Sequence, residues 1–271
     1  MNDPAPARPS ASVLLIRDGA EGLEVFMVVR HHEIDFASGA LVFPGGRLAE
    51  GDGDPALRAL CDGSDAFDDY KLALAVASIR ESFEECGVLL ARREGENELI
   101  GAKALAELER YRKAFDSGAL EMVAFLTSQK LRLACDVLVT YANWVTPAFV
   151  PKRFDTWFFL AAAPTDQTAL HDGREAVDSE WIRPVDAIAD GNAGRRPLVF
   201  PTRLNLMRLA ESKTAAEAIA AAHDRPIVAV QPWLEERGED KAICIPADSG
   251  YALSEVPMKV AAGGPWPDAP A

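Results

Sequence analysis

Two apolar runs, Val13–Ile16 and Val25–Val29, flank the turn-like Asp18-Gly-Ala-Glu-Gly22, a pattern that predicts a β-hairpin. A short apolar piece, Leu41–Phe43, is stopped by Pro44-Gly45-Gly46. Residues 47–70 are rich in Asp and Gly and predict an irregular loop with one helical turn near Pro55–Leu60. The period then turns helical over Lys71–Ala91, where Leu72, Val76, Ile79, Phe83, Cys86 and Leu90 follow 4-3-4-3-4 spacing along one face. Residues 103–130 predict two more helices, split near Asp116-Ser-Gly118. Strands are expected at Val137–Val145 and Phe154–Ala161, with a strand end at Glu180–Pro184 and a helix start at Pro184–Ile188. A helix over Arg203–Ala222 and a last strand at Pro226–Pro232 follow. Strands interspersed with helices predict α/β or α+β, in one domain over residues 12–260 with a helical insertion at about 92–130. The Ala-, Pro- and Gly-rich ends, 1–11 and 261–271, are expected to be mobile.

Composition narrows the partners. With 49% apolar and 26% charged residues in 271, the chain reads as an ordinary globular protein with a sizeable core. Its net charge of −14 disfavours nucleic acid and anionic membranes, which need a basic face, but allows a small phosphorylated substrate held by a few local cations. The uncharged run Val137–Pro151 carries two prolines and reads as strand and loop rather than a membrane span. The start of the chain lacks the basic and apolar segments of a secretory signal. Cys61, Cys86, Cys135 and Cys244 lie far apart with no C-x-x-C, so reduced cysteines in a cytoplasm are expected.

The candidate chemistry sits opposite the apolar stripe of the helix at 71–91. Glu81, Glu84 and Glu85 cluster there, with Arg80 at the edge between the two faces. Carboxylates this close repel one another, and a hard divalent cation, Mg²⁺ or Mn²⁺, would resolve the conflict. Alone, such a trio is an ordinary solvated face. Here Phe43-Pro-Gly-Gly46 precedes it and Gly87 follows, and the order Gly46, then Arg80-Glu-Ser-Phe-Glu-Glu-Cys-Gly-Val88, resembles the box of the Nudix hydrolase superfamily. Asp52 stands where that pattern has Glu, and Ser82 replaces an aliphatic residue. Between Asp52 and Arg80 lie 27 residues where the family has seven, an inserted loop over about 53–72 that costs little in closure entropy. With Trp144-Val-Thr-Pro147, Lys152–Phe159 and Pro201-Thr-Arg203, the interrupted box is similar to the branch that includes the mammalian peroxisomal acyl-coenzyme A diphosphatase, over roughly residues 11–235.

The resemblance implies an α/β/α sandwich with a mixed sheet, and Mg²⁺- or Mn²⁺-dependent cleavage of a nucleoside diphosphate linked to a further group. It implies Glu81, Glu84 and Glu85 as metal ligands, Glu84 or Glu85 as base, and Arg80 as a bidentate orienter of a carboxylate. Gly45 and Gly46 would let backbone approach the substrate, and Arg30 would supply a basic group ahead of the glycines. Further acid candidates are Asp52, Glu175 and Glu180. Arg153 and Asp155 read as a buried ion pair, as residues at a strand edge, or as a contact to phosphate or substrate. His31 and His32 are expected in a solvated loop, and Asp62, Asp65, Asp68 and Asp69 in a solvated acidic loop without Ca²⁺-loop spacing. Coenzyme A or its acyl thioesters, split to 3′,5′-ADP and a phosphopantetheine product, are the first expected substrates. ADP-ribose, dinucleotides and nucleotide sugars are the alternatives, as is a Nudix-fold binding or regulatory module that has lost hydrolysis. The helical insertion could serve as a lid, a homodimer contact or padding.

Overall fold

The computed structural model describes residues 5–30, 39–167, 169, 176–261 and 266. Along the chain come β1 (Arg8–Gly19), β2 (Gly22–Arg30), β3 (Leu41–Val42), β4 (Gly45–Arg47), β5 (Cys61–Asp62) and α1 (Asp69–Cys86). β6 (Ala91–Arg93), α2 (Ala102–Leu108), α3 (Arg112–Asp116), α4 (Met122–Gln129) and β7 (Leu131–Ala134) follow. Then come β8 (Val139–Val145), β9 (Phe154–Ala162), β10 (Ala176–Ile182), α5 (Pro184–Asn192), α6 (Phe200–Leu209) and α7 (Ala215–Asp224). The chain closes with β11 (Ala229–Val230), β12 (Trp233–Arg237), β13 (Asp240–Cys244), β14 (Glu255–Pro257) and α8 (Met258–Ala261).

The main sheet runs β10-β2-β1-β9-β8-β11, with β3 on β2 and β4 on β1. It is mixed: β1 with β9 and β8 with β11 are parallel, and the other pairs are antiparallel. Side-chain alternation along β1 divides the core. Ala11, Val13 and Leu15 face the cluster around α1, whereas Leu14 and Ile16 face the cluster around α6 and α7. Helices therefore cover both faces of the sheet, which is the α/β/α sandwich that the family resemblance implies.

α1 is buried further round than its apolar stripe suggests. Phe83 meets Phe115 and Phe125 of the helical insertion, each at 6.0 Å between ring centroids. Outside that stripe, Ala73, Ala75, Ala77 and Ser78 are also fully or nearly buried, small side chains that allow close packing around the helix. The helix stops at Cys86 instead of Ala91, because Gly87 takes φ 67° and its N–H and that of Val88 return to the Phe83 and Ser82 carbonyls. Ser82, the residue out of place in the box, donates its hydroxyl to the Val88 carbonyl at 2.9 Å and so completes this cap.

Several expectations are corrected. Residues 8–11 pair within the sheet through β1 rather than forming part of a mobile end. In the segment 47–70 the helical turn expected near Pro55–Leu60 is present as a 3-10 turn, but further 3-10 turns at Glu50–Gly53 and Ser64–Ala66 and the strand β5 order the rest. Asp65, Asp68 and Asp69 are exposed, as expected of a solvated acidic loop, with Asp69 paired to Arg58 and Asp68 capping α1 by accepting from the Lys71 N–H at 2.7 Å, whereas the half-buried Asp62 pairs with Arg92 and Arg132. The helix expected over 203–222 is two, because Thr214 caps α7 by accepting from the Glu217 N–H. β11 is not the last strand, since β12, β13 and β14 form a separate antiparallel sheet. Of the end at 261–271, only residues 261 and 266 are described, and Trp266 packs on Phe200 at 5.8 Å. The four cysteines are buried and free. Among the described residues no helix is long and apolar enough to cross a membrane.

Phe125 stacks on Phe83 and meets Phe115 at 5.0 Å and Tyr111 at 5.3 Å, with no exposed surface. Phe125→Ala is expected to lower the unfolding free energy by about 3–5 kcal/mol, read as a fall in the urea midpoint at unchanged slope.

Candidate active site

The box glycines are placed by β1. The Pro44 carbonyl accepts from the Val13 N–H at 2.9 Å and from the Ser12 hydroxyl at 2.7 Å. β4 then pairs Gly45 with Ser12, Gly46 with Ala11 and Arg47 with Ser10. Gly45 lies so close that a Cβ there would meet the Ala11 carbonyl and sit 2.6 Å from the Ser12 Cα. A Cβ on Gly46 would instead collide with the Glu81 carboxylate. Each glycine thus admits a specific neighbour: the first a strand, the second a box acid.

The acids gather around one guanidinium. Arg80 donates from Nε and Nη2 to the two Asp52 oxygens at 2.8 and 2.9 Å. Its Nη1 donates to Glu81 at 2.8 Å and to Glu84 at 3.1 and 3.2 Å, and Nη2 also reaches the Arg47 carbonyl at 3.0 Å. Arg80 thus meets Asp52 as a bidentate fork. Asp52 lies in the 3-10 turn Glu50–Gly53 that leads into the inserted loop, and it also accepts from the Ala49 N–H at 2.8 Å. Losing one methylene relative to Glu therefore does not keep it out of the site. Glu85 accepts from the Gly45 N–H at 2.9 Å, which joins the last turn of α1 to the glycine strand. The other end of this turn is held from outside the box: Arg112 of α3 donates to the Glu84 carbonyl from Nη2 at 3.0 Å and from Nε at 3.3 Å.

Electrostatics follow from burial. Desolvation pushes the Glu81 carboxyl up to about 7, opposed by the Arg80 charge and reinforced by Glu84 and Asp52. Burial alone would weaken the Arg80 charge, but the Asp52 hydrogen bonds and the charges of Glu81, Asp52 and Glu84 outweigh it and hold the guanidinium firmly protonated. Four carboxylates share this site with Arg80, so the donor set is all hard oxygen with an excess of negative charge. That chemistry suits a divalent cation, and Glu81, Glu84 and Glu85 are the residues that would hold one. As arranged, Glu81 and Glu84 are turned to Arg80. Among the described residues no three His, Cys, Asp or Glu side chains are grouped so as to hold an ion.

Other expected site residues lie elsewhere. Arg153 is buried and spends its bonds on backbone, donating to the Thr146 carbonyl at 3.0 Å and the Ala5 carbonyl at 2.7 Å. It anchors the chain ahead of β1 and the β8–β9 connection, neither pairing with Asp155 nor joining the box. Asp155 accepts from the Asn143 amide at 2.6 Å. Glu180 on β10 is ion-paired with Arg196 rather than gathered with the box acids. Arg30 ends β2, but its side chain, like His31, His32 and Glu175, lies outside the described residues. Arg112 and the Ser12–Pro44 clamp were not anticipated. Neither carries a box spacing, and only three-dimensional proximity reveals them.

A family model described as the NUDT19 Nudix domain matches residues 62–209, more than half of the chain. The match takes in Arg80–Val88 and the helical insertion and begins beyond Gly45, Gly46 and Asp52. The acyl-coenzyme A diphosphatase NUDT19 of Xenopus laevis is similar, 22% identical over 250 residues that cover 78% of this chain and 66% of that protein. Its Gallus gallus counterpart is 27% identical over 182 residues, covering 60% and 47%. The chain thus spans about two thirds or less of the length of these relatives. Among solved structures, a NUDIX hydrolase from Alicyclobacillus acidocaldarius shares the fold with a TM-score of 0.64 at 28% identity, covering 80% of this chain and 96% of that one.

The two glycines should respond differently to a methyl group. Gly45→Ala meets backbone and is expected to cost about 1–3 kcal/mol, whereas Gly46→Ala meets the flexible end of Glu81, which can give way. Thermal unfolding of the two variants should show the larger fall in melting temperature for Gly45→Ala.

Proposed function

The chain belongs to the NUDT19 Nudix domain family, and from that premise we propose that it is a divalent-cation-dependent diphosphatase. The observation that carries this reading is the convergence of Asp52, Glu81 and Glu84 on Arg80, with Glu85 tied to the adjacent glycine strand. An inserted loop of this length would allow the box acid to wander, yet Asp52 is held by two hydrogen bonds from Arg80.

Each residue has a part in cleaving a diphosphate. Arg80 holds Asp52, and with it the inserted loop, against α1, and it orients Glu81 and Glu84. Its bonds are spent on these partners and on the Arg47 carbonyl, which supports a positioning role rather than direct substrate contact. Glu81, Glu84 and Glu85 are the ligands for Mg²⁺ or Mn²⁺, which when bound neutralises phosphate oxygens and lowers the pKa of water. Glu84 and Glu85, both partly accessible, are the candidates to accept the proton of the attacking water. Gly46, with no side chain, leaves room for the Glu81 carboxylate at the site floor.

Coenzyme A or an acyl-coenzyme A, giving 3′,5′-ADP and a phosphopantetheine product, is the favoured substrate. Its support is the similarity to relatives named acyl-coenzyme A diphosphatase. Nothing in Arg153 adds to it, because that guanidinium is engaged with backbone. Four free, buried thiols fit a reducing compartment such as the cytoplasm.

Purified protein with Mg²⁺ or Mn²⁺ is expected to release 3′,5′-ADP from coenzyme A or acetyl-coenzyme A in a panel with ADP-ribose, NADH and diadenosine compounds. Turnover of ADP-ribose but not of coenzyme A would transfer the assignment to that substrate. Glu84→Gln and Glu85→Gln should each lower kcat by about 10²-fold or more with unchanged circular dichroism. Full activity in both would remove the box acids from the mechanism.

A further inference from the structure

The helical insertion reaches the box at one point that its packing alone does not require. The final turn of any α-helix leaves carbonyls without intrahelical partners. In α1 the Ser82 and Phe83 carbonyls are taken by the Val88 and Gly87 N–H groups. The Glu84 carbonyl is taken by Arg112, through two donors at 3.0 and 3.3 Å, across 28 positions of sequence. Arg112 is itself braced by Glu109 at 2.7 Å. Its guanidinium also lies where a Cβ on Gly87 would be 3.0 Å from Nη1, so the glycine that ends the helix also makes room for the arginine. Phe115, one turn further along α3, packs edge-on against Phe83 at 6.0 Å.

We propose that Arg112 is a positioning residue of the box, acting through the Glu84 peptide to fix the directions of the Glu84 and Glu85 carboxylates for a divalent cation. The proposal rests on the diphosphatase reading above. Its logic is geometric and electrostatic together. Glu85 is fastened at its carboxylate by the Gly45 N–H, and Glu84 at its carboxylate by Arg80. A backbone free to fray would let both side chains swing about those tethers. Arg112 pins the Glu84 peptide itself, and its cation also lies at the negative end of the helix dipole. In this role the inserted helices are a brace for the last turn of the box helix.

The test compares Arg112→Gln, Arg112→Lys and Phe115→Leu with the wild-type chain. Three readouts are taken: binding of Mn²⁺ alone by electron paramagnetic resonance, kcat and KM on coenzyme A, and thermal unfolding. Arg112→Gln is expected to weaken Mn²⁺ binding about tenfold and to lower kcat about tenfold or more at nearly constant KM, as loss of an outer partner of metal ligands does. Arg112→Lys, whose ammonium can still donate to the Glu84 carbonyl, should recover most of both. Phe115→Leu should lower the melting temperature while leaving Mn²⁺ affinity and kcat near wild type. Wild-type Mn²⁺ affinity in Arg112→Gln overturns the proposal, as does an equal loss in Arg112→Gln and Phe115→Leu that tracks stability. A wild-type chain that binds Mn²⁺ but hydrolyses no member of the substrate panel sinks the diphosphatase reading instead, while the Mn²⁺ comparison still decides the role of Arg112.

Discussion

Crowded negative charge at the junction of a strand and a helix is the constraint around which this protein is built. Asp52, Glu81, Glu84 and Glu85 come together within one helical turn and one loop, and Glu81 has little access to water. Left alone, such a group would be expelled or protonated. Arg80 makes the assembly stable by engaging three of the four acids with a single planar fork. The glycine strand accommodates the remaining demand for space, and its Gly45 N–H supplies the fourth acid with a donor. Packing and electrostatics thus meet in adjacent residues: Gly45 lets β4 lie against β1, and Gly46 leaves room for the Glu81 carboxylate.

α1 connects this charge cluster with the rest of the core. Its Phe83 side anchors the inserted helices, and its Glu81 side meets the sheet. The helix is consequently a shared wall between two packed bodies. Its backbone ends carry as much of the organisation as its side chains, through the Asp68 cap at one end and the Gly87 turn with the Ser82 hydroxyl at the other.

Much of this was legible in the residues. Hairpin, box helix and the central strands follow from apolar periodicity, which reports burial directly, whereas the insertion expected as two helices is three, α2, α3 and α4. Glu81, Glu84 and Glu85 fall on one side of α1 because i, i+3 and i+4 neighbours share a helix face, whereas Gly46 and Asp52 are tied to them in sequence only through the family resemblance. The failures have physical causes. Periodicity marks the most apolar stripe of α1 and is silent about alanine faces that become buried by close approach. Thr214 was a capping signal hidden inside a long apolar pattern. Arg153 showed the right chemistry for a phosphate contact, but a guanidinium satisfies carbonyls equally well, and sequence cannot say which it will meet. β12–β14 lacked the strongly apolar character that announces a central strand.

The inserted loop has a consequence for how such proteins are recognised. Its acids are matched with arginines from distant strands, Asp62 with Arg92 and Arg132, and β5 lies parallel to β7, so the extra residues form a small folded patch with its own ties. What must be preserved is the spatial closure between Gly46 and Asp52 on one side and the helix on the other, not a residue count. A search keyed to a constant gap would pass over this chain, whereas one that scored the two half-signatures independently and left the interval free would retrieve it along with any others whose interval has become a miniature fold.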